Sequence, residues 1–199
     1  MKPKYVLAGT GVALGLVGLL LIAATLSRRS SSQDLPVLFD VPAFSLTDTN
    51  GKPFGPDQLK GKVWVVDFIF TTCTGPCPIL SGQMSSLHRR FGGDDRVAFV
   101  SVTVDPDHDT PEVLKAYADN LGADPKVWHF LTGPHPAINT LATTGFKLGN
   151  GGRPALHDTH FVLVDGQGRI RGYYTGTDPK DVDILAGDIR KLLEEKEGA

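Results

Sequence analysis

An α/β sandwich preceded by one N-terminal transmembrane helix is the architecture this sequence predicts. Three observations predict it. An uncharged apolar run occupies residues 5–26, two nearly continuous apolar segments read as strands covered on both faces, and a stretch with helical signals follows each of them.

Taken in order, residues 5–26 carry no charge and form a run of about 22 residues, enough to cross a bilayer core. Lys2 and Lys4 precede it; Arg28 and Arg29 follow. No A-x-A-like cleavage site stands before Ser27, so the run reads as an uncleaved anchor rather than a signal peptide. Basic residues at both ends leave its orientation open, and with no ionisable residue inside it reads as a tether, not a transport path. The expected organisation is an anchor at 1–29, a polar linker at 30–34 and one folded domain at 35–199. The roughly 165 residues beyond the tether are enough to bury one core. The 20 Lys and Arg are mixed along the chain with 22 Asp and Glu, giving a formal net charge of -2 without a basic run or an acidic tail. That balance points away from nucleic acid as a partner.

Within the domain, alternation at residues 44–48, the turn residues at 49–52 and Pro53-Phe54 predict a small hairpin at a sheet edge. The run VWVVDFIF at 63–70 predicts a buried strand. A helix is expected from about Cys77 to Phe91, with Leu80, Met84 and Leu87 on one stripe and Gly92-Gly93 beyond its end. A second buried strand at 97–104 leads through Asp105-Pro106 to a helix with Thr110 as N-cap, Pro111 as first residue and Gly122 at its close. A helix over 136–144 and a Gly-rich loop at 149–154 precede a hairpin, 161–164 with 170–174, turned by Gly166-Gln167-Gly168. Val182, Leu185, Ile189 and Leu192 mark a final amphipathic helix. Strands alternating with helices and ending in a hairpin plus helix fit a thioredoxin-like sandwich.

The chain has two cysteines, in Cys73-Thr74-Gly75-Pro76-Cys77-Pro78, between a predicted strand and the start of a predicted helix. That spacing brings both sulfurs together for a disulfide or a shared metal. The partial positive charge of a helix N-terminus favours thiolate over thiol, which makes better nucleophiles and better ligands. A purely structural disulfide here would close only a short loop and constrain the unfolded chain little. A structural zinc site lacks a second cysteine pair, whereas two thiolates and one imidazole suit copper. Among the six histidines, His157 is the best third ligand, because the loop entering the strand after it faces the cysteine-bearing helix in a thioredoxin-like layout. His160 falls at the edge of that strand; His88, His108, His129 and His135 are expected in helical or loop contexts without a partner. Asp67 and Asp105 are candidates for orienting ligands or influencing thiol protonation, with a buried hydrogen-bonded carboxylate and a turn as the plainer readings. Met84 reads as helix packing, and there is no methionine-rich segment.

The stretches DFIFTTC at 67–73 with Cys77-Pro78, SVTVDP at 101–106 with Asp109-Thr110-Pro111-Glu112, FLTG at 130–133, and His157 eight residues before Asp165 resemble the Sco family, also called SenC/PrrC-like. The resemblance covers nearly the whole chain. It implies a thioredoxin-like domain tethered to the membrane, facing the periplasm, binding Cu(I) or Cu(II) through Cys73, Cys77 and His157. It implies delivery of copper to the subunit of cytochrome c oxidase that carries the dinuclear copper centre. Another periplasmic copper chaperone or a thiol reductase would be further partners. One departure stands out: Asp158 follows the histidine where the family usually has Ser, free to tune the imidazole or face solvent. Thr159 stands where thioredoxin-like reductases generally carry a cis-proline, which resembles the Sco arrangement and argues against a general disulfide reductase. The competing class is a thiol-disulfide oxidoreductase keeping the oxidase cysteines reduced, with Cys73 attacking and Cys77 resolving; a peroxide-reducing or redox-signalling relative ranks below it. The first two separate at His157, which copper needs and dithiol exchange does not.

Overall fold

A computed structural model of the chain describes residues 35–149 and 158–197. The expected anchor at 1–29, the linker at 30–34, most of the Gly-rich loop and His157 lie outside the described residues. Among the described residues no helix is long and apolar enough to cross a membrane.

Along the chain the strands are β1 (Phe39–Asp40), β2 (Leu46–Asp48), β3 (Pro53–Phe54), β4 (Val63–Ile69), β5 (Val97–Thr103), β6 (Trp128–Thr132), β7 (His160–Val164) and β8 (Arg169–Thr175). The helices are α1 (Cys77–Phe91), α2 (Pro111–Asn120), α3 (His135–Thr140) and α4 (Pro179–Glu197). One sheet holds the strands in the order β1-β8-β7-β4-β5-β6-β2-β3. β4, β5 and β6 are parallel, and the hairpin β7–β8 adds antiparallel to β4. The predicted hairpin of β2 and β3 sits at one edge, and β1 pairs with β8 at the other.

Every residue of β4 and β5 is buried, as their unbroken apolar runs require. Val63, Val65 and Ile69 face a core built with α1, α2 and α4; Trp64, Val66 and Phe68 face a second core under α3 and the β2–β3 hairpin. Leu80, Met84 and Leu87 are the buried stripe of α1, each burial worth about 1.5–3 kcal/mol. Thr110 caps α2 by accepting a hydrogen bond from the Val113 N–H, Pro111 opens the helix, and Gly122 follows with a positive φ of 67° that glycine adopts without strain. Val182, Leu185, Ile189 and Leu192 of α4 are buried.

β6 and the helix that follows it differ from what the sequence predicts. β6 lacks a continuous strand pattern because its five residues include His129, which interrupts the apolar run; the imidazole packs against the Phe54 ring at a 39° tilt, with centroids 4.6 Å apart. The expected helix over 136–144 is α-helical only to Thr140 and continues as a wider π-helical turn, Leu141–Gly145, where the Thr143 hydroxyl donates to the Asn139 carbonyl at 2.7 Å.

Candidate metal centre

The parallel strands β4 and β5 end at the same edge of the sheet, and the chain leaves β4 through Phe70, Thr71 and Thr72 into Cys73. The Cys73 N–H donates to the Phe70 carbonyl at 3.2 Å, a turn that folds the loop back toward the strand end. Pro76 stands at the N-cap of α1 and Pro78 inside its first turn, so Cys77 is the first helical residue. Proline suits this place because the first turn of a helix has no intrahelical acceptor for its N–H groups.

Both cysteines are free thiols, Cys73 partly exposed and Cys77 buried in the core beneath α1. Their environments split them. Burial acts against ionisation of Cys73, but hydrogen bonds from the Cys77 thiol and from the backbone of Cys77 and Gly75 outweigh it and hold Cys73 below the ordinary thiol range. Burial pushes Cys77 up to about 12, reinforced by Cys73 and by the carboxyl of Asp67. The outer sulfur is therefore the one poised as thiolate, and the inner one is its hydrogen-bond donor.

Asp67 lies in β4 on the face covered by α1, between Val65 and Ile69, and is 1 % exposed. Neither of its carboxyl oxygens makes a hydrogen bond among the described residues, so it is not the satisfied carboxylate of the plainer reading. Burial pushes it up to about 7, opposed by Ser101, its register neighbour on β5. The Ser101 hydroxyl itself accepts a hydrogen bond from the Trp128 indole at 3.0 Å. Asp105 occupies a turn: its carbonyl accepts from the N–H groups of His108 and Asp109, and its N–H donates to the Thr103 hydroxyl.

Asp109, the first residue of the Asp109-Thr110-Pro111-Glu112 stretch, has a role at the site that its motif does not state. It is fully buried, and its carboxyl accepts from the Thr71 N–H at 3.0 Å, from the Thr71 hydroxyl and from the Thr103 hydroxyl. One side chain thus ties the loop before Cys73 to the end of β5 and the approach to α2. The repeated acidic spacing in D-P-x-x-D-T-P-E was its signal. On α1, the Ser81 hydroxyl shares a 2.8 Å hydrogen bond with the Tyr117 hydroxyl of α2, fixing the cysteine-bearing helix from its other side.

His157 lies outside the described residues, but its chain neighbour does not. Asp158 leads into Thr159, whose carbonyl accepts from the Gly176 N–H at 2.7 Å. Gly176 is wedged against α1: a Cβ there would stand 2.5 Å from Leu80 Cδ2 and 3.0 Å from the Thr159 carbonyl oxygen. Leu80 is three residues beyond Cys77, so the end of this loop packs beside the first turn of the cysteine-bearing helix. Asp158 does not face solvent. It accepts from the His160 N–H and pairs with His160 Nδ1, both at 2.9 Å, and accepts from the Gly149 N–H at 3.3 Å, closing the loop at its base.

Of the four histidines expected in helical or loop contexts without a partner, His88, His129 and His135 each have one. His160 is the first residue of β7 and pairs with Asp158; His135 Nε2 lies 3.2 Å from Asp107. His88 packs against Phe99 and Trp128 and accepts from the Asp124 N–H, and His129 is a strand residue. Among the described residues no three His, Cys, Asp or Glu side chains converge as metal ligands. The thiol pair therefore needs a donor from outside the described residues to reach three.

The SCO1/SenC family model matches residues 38–194. The SCO1 protein homolog of Bacillus subtilis (strain 168) is 30% identical over 186 residues, covering 90% of this chain and 94% of that protein. The structure of BsSco, a member of the Sco family of cytochrome c oxidase assembly proteins in which a disulfide switch was identified, superposes with a TM-score of 0.71 at 30% identity. It covers 81% of this chain and 98% of that one. The copper-bound structure of Bradyrhizobium japonicum ScoI superposes with a TM-score of 0.62 at 27% identity, covering 77% of this chain and 99% of that one. With a thioredoxin-like α/β sandwich and a thiol pair at the end of its central strand, this chain belongs to the SCO1/SenC family.

Proposed function

We propose that the chain is a membrane-anchored, extracytoplasmic copper metallochaperone that holds one copper ion through Cys73, Cys77 and His157 and passes it to the dinuclear copper centre of cytochrome c oxidase. The observation that carries this is the polarised thiol pair at the mouth of α1, with Thr159, two residues beyond His157 in the chain, and Gly176 packed beside Leu80 of the same helix. Two thiolates and an imidazole form a soft donor set suited to copper. The copper-bound relative and the oxidase-assembly description of BsSco support the cargo and the partner. Copper is cargo, so no turnover is required: Cys73 offers the accessible sulfur at which an incoming partner thiolate begins ligand exchange. Loading must displace the proton held on Cys77, so apparent affinity rises with pH through the neutral range. The anchor is read from residues 5–26 and the domain from residues 35–199.

A second reading, thiol-disulfide exchange, is favoured by the same polarity. Cys73 thiolate attacks a partner disulfide, a mixed disulfide forms as one partner sulfur leaves as thiolate, and Cys77 gives up its proton to displace the other. The partner gains two electrons and this chain ends as the Cys73–Cys77 disulfide.

Anaerobic titration of the reduced chain with Cu(I) against a competing chelator separates the two. The proposal expects one tight site in the parent, lost in Cys73→Ala and Cys77→Ala and sharply weakened in His157→Ala. A parent that binds no Cu(I) tightly, yet reduces disulfides, would leave the exchange reading.

A further inference from the structure

Large apolar side chains stand exposed at five described positions, and three of these are consecutive: Val37, Leu38 and Phe39, at 53 %, 38 % and 47 % exposure. Scattered exposed apolar residues need no explanation, but a contiguous run on an edge strand does. These side chains cannot turn inward, because their backbone is pinned on both sides. The Leu38 N–H donates to the Ile170 carbonyl and the Val41 N–H to the Gly168 carbonyl. Upstream, the Arg171 guanidinium, 4 % exposed, donates to the carbonyls of Leu35 and Pro36 at 3.2 and 3.1 Å. Arg171 is itself held by Asp165 at 3.0 Å and by Glu195 of α4 at 3.2 Å. A buried arginine thus fixes the place where the N-terminal segment joins the domain and presents the next three residues outward.

Two features say what covers them. First, eight residues, 27–34, separate the apolar run at 5–26 from Leu35. At full extension they reach roughly 28 Å, and the patch begins two residues beyond Leu35, so an anchor at 5–26 would keep Val37 within roughly 40 Å of the bilayer and make its effective concentration at the lipid surface high. Second, the Lys147 ammonium lies 5.5 Å from the Phe39 ring centroid, placing a cation beside the apolar side chains as an anionic lipid interface favours.

We propose that Val37, Leu38 and Phe39, with Lys147, form a lipid-contact patch that rests the domain on the membrane surface; this depends on the anchor reading of residues 5–26. Phe39 lies opposite Ile170, Ile170 opposite Val164, and Val164 opposite Trp64, so the patch is level with the beginning of β4. Ile69 is five residues farther along the same strand, about 17 Å away, and the cysteines follow it. The contact therefore leaves the thiol pair uncovered while restricting how the domain turns on its tether.

The test uses the full chain reconstituted in vesicles of mixed phosphatidylcholine and phosphatidylglycerol, with and without bromine near the headgroup end of the acyl chains. Phe39→Trp reports from the patch, and Ile184→Trp from an exposed apolar position on α4. Trp64 and Trp128 are buried and give a common background. The expected result is bromine quenching of Phe39→Trp emission at least about twofold greater than that of Ile184→Trp. Equal quenching in a chain that floats with the vesicles overturns the patch and leaves the anchor standing. A chain that does not float overturns both. An emission shift in unbrominated vesicles that depends on the number of copies per vesicle overturns it in favour of edge-to-edge pairing of two chains.

Discussion

Asp109→Ala is expected to cost about 3–5 kcal/mol of stability and to loosen the loop that carries Cys73. The carboxyl is fully buried and satisfies three donors, the N–H and hydroxyl of Thr71 and the hydroxyl of Thr103. Alanine removes the acceptor and leaves those donors facing a space that water enters poorly, so the loss exceeds the net worth of the bonds themselves. The milder Asp109→Asn keeps one acceptor oxygen but brings an amide against a hydroxyl, so it should recover only part of the loss. The measurement is the urea midpoint of each variant together with the rate of Cys73 alkylation. A shift in midpoint worth less than about 1 kcal/mol for Asp109→Ala would mean that the loop is held by other contacts.

Asp67→Asn is expected to change how stability depends on pH. Unfolded, the carboxyl titrates near 3.8; folded, burial raises it to about 7. Between those values the folded chain retains a proton that the unfolded chain has released. The parent therefore loses stability as pH rises from about 4 to about 7, and the penalty is complete above that window. Asn keeps the shape and cannot ionise, so the variant should gain on the parent across the window by about 2–4 kcal/mol. His129 has the opposite effect. Burial lowers its imidazole from 6.5 to about 4, so the unfolded chain binds the extra proton and stability falls as pH drops through that range. That contribution is common to variant and parent and cancels in the difference. Denaturant midpoints measured across the window give the answer; a difference that does not vary with pH contradicts the ionisation assigned to Asp67. The same substitution removes one of the influences that raise the Cys77 thiol, so Cys77 should ionise more readily.

The parts of the fold legible in the sequence are those where one pattern governs one element. The unbroken apolar runs of β4 and β5, the stripes of α1 and α4, and the Thr110-Pro111 start of α2 each state their structure locally. β6 escaped because a half-buried histidine breaks its pattern, and β1 because two exposed residues carry no strand signal without their partner β8. The site divides in the same way. Cys73 and Cys77 are legible from position alone, since a strand-to-helix junction places them. Asp109 and Arg171 act through partners far along the chain, Thr71 for one and Leu35 and Pro36 for the other, and a local motif cannot show what a side chain will reach. Asp158 looked like a neighbour of the metal or of solvent because it adjoins His157, but its carboxyl turns back to close the loop on His160 and Gly149.

Copper K-edge X-ray absorption of the Cu(I)-loaded chain, compared with His157→Ala loaded in the same way, reads the donor set at the metal itself. Two sulfur donors and one nitrogen donor in the parent, with the nitrogen lost in the variant, is the predicted result. A parent spectrum of sulfur donors alone, or one unchanged by the substitution, would contradict the assignment of His157 as the third ligand of the Cys73–Cys77 pair.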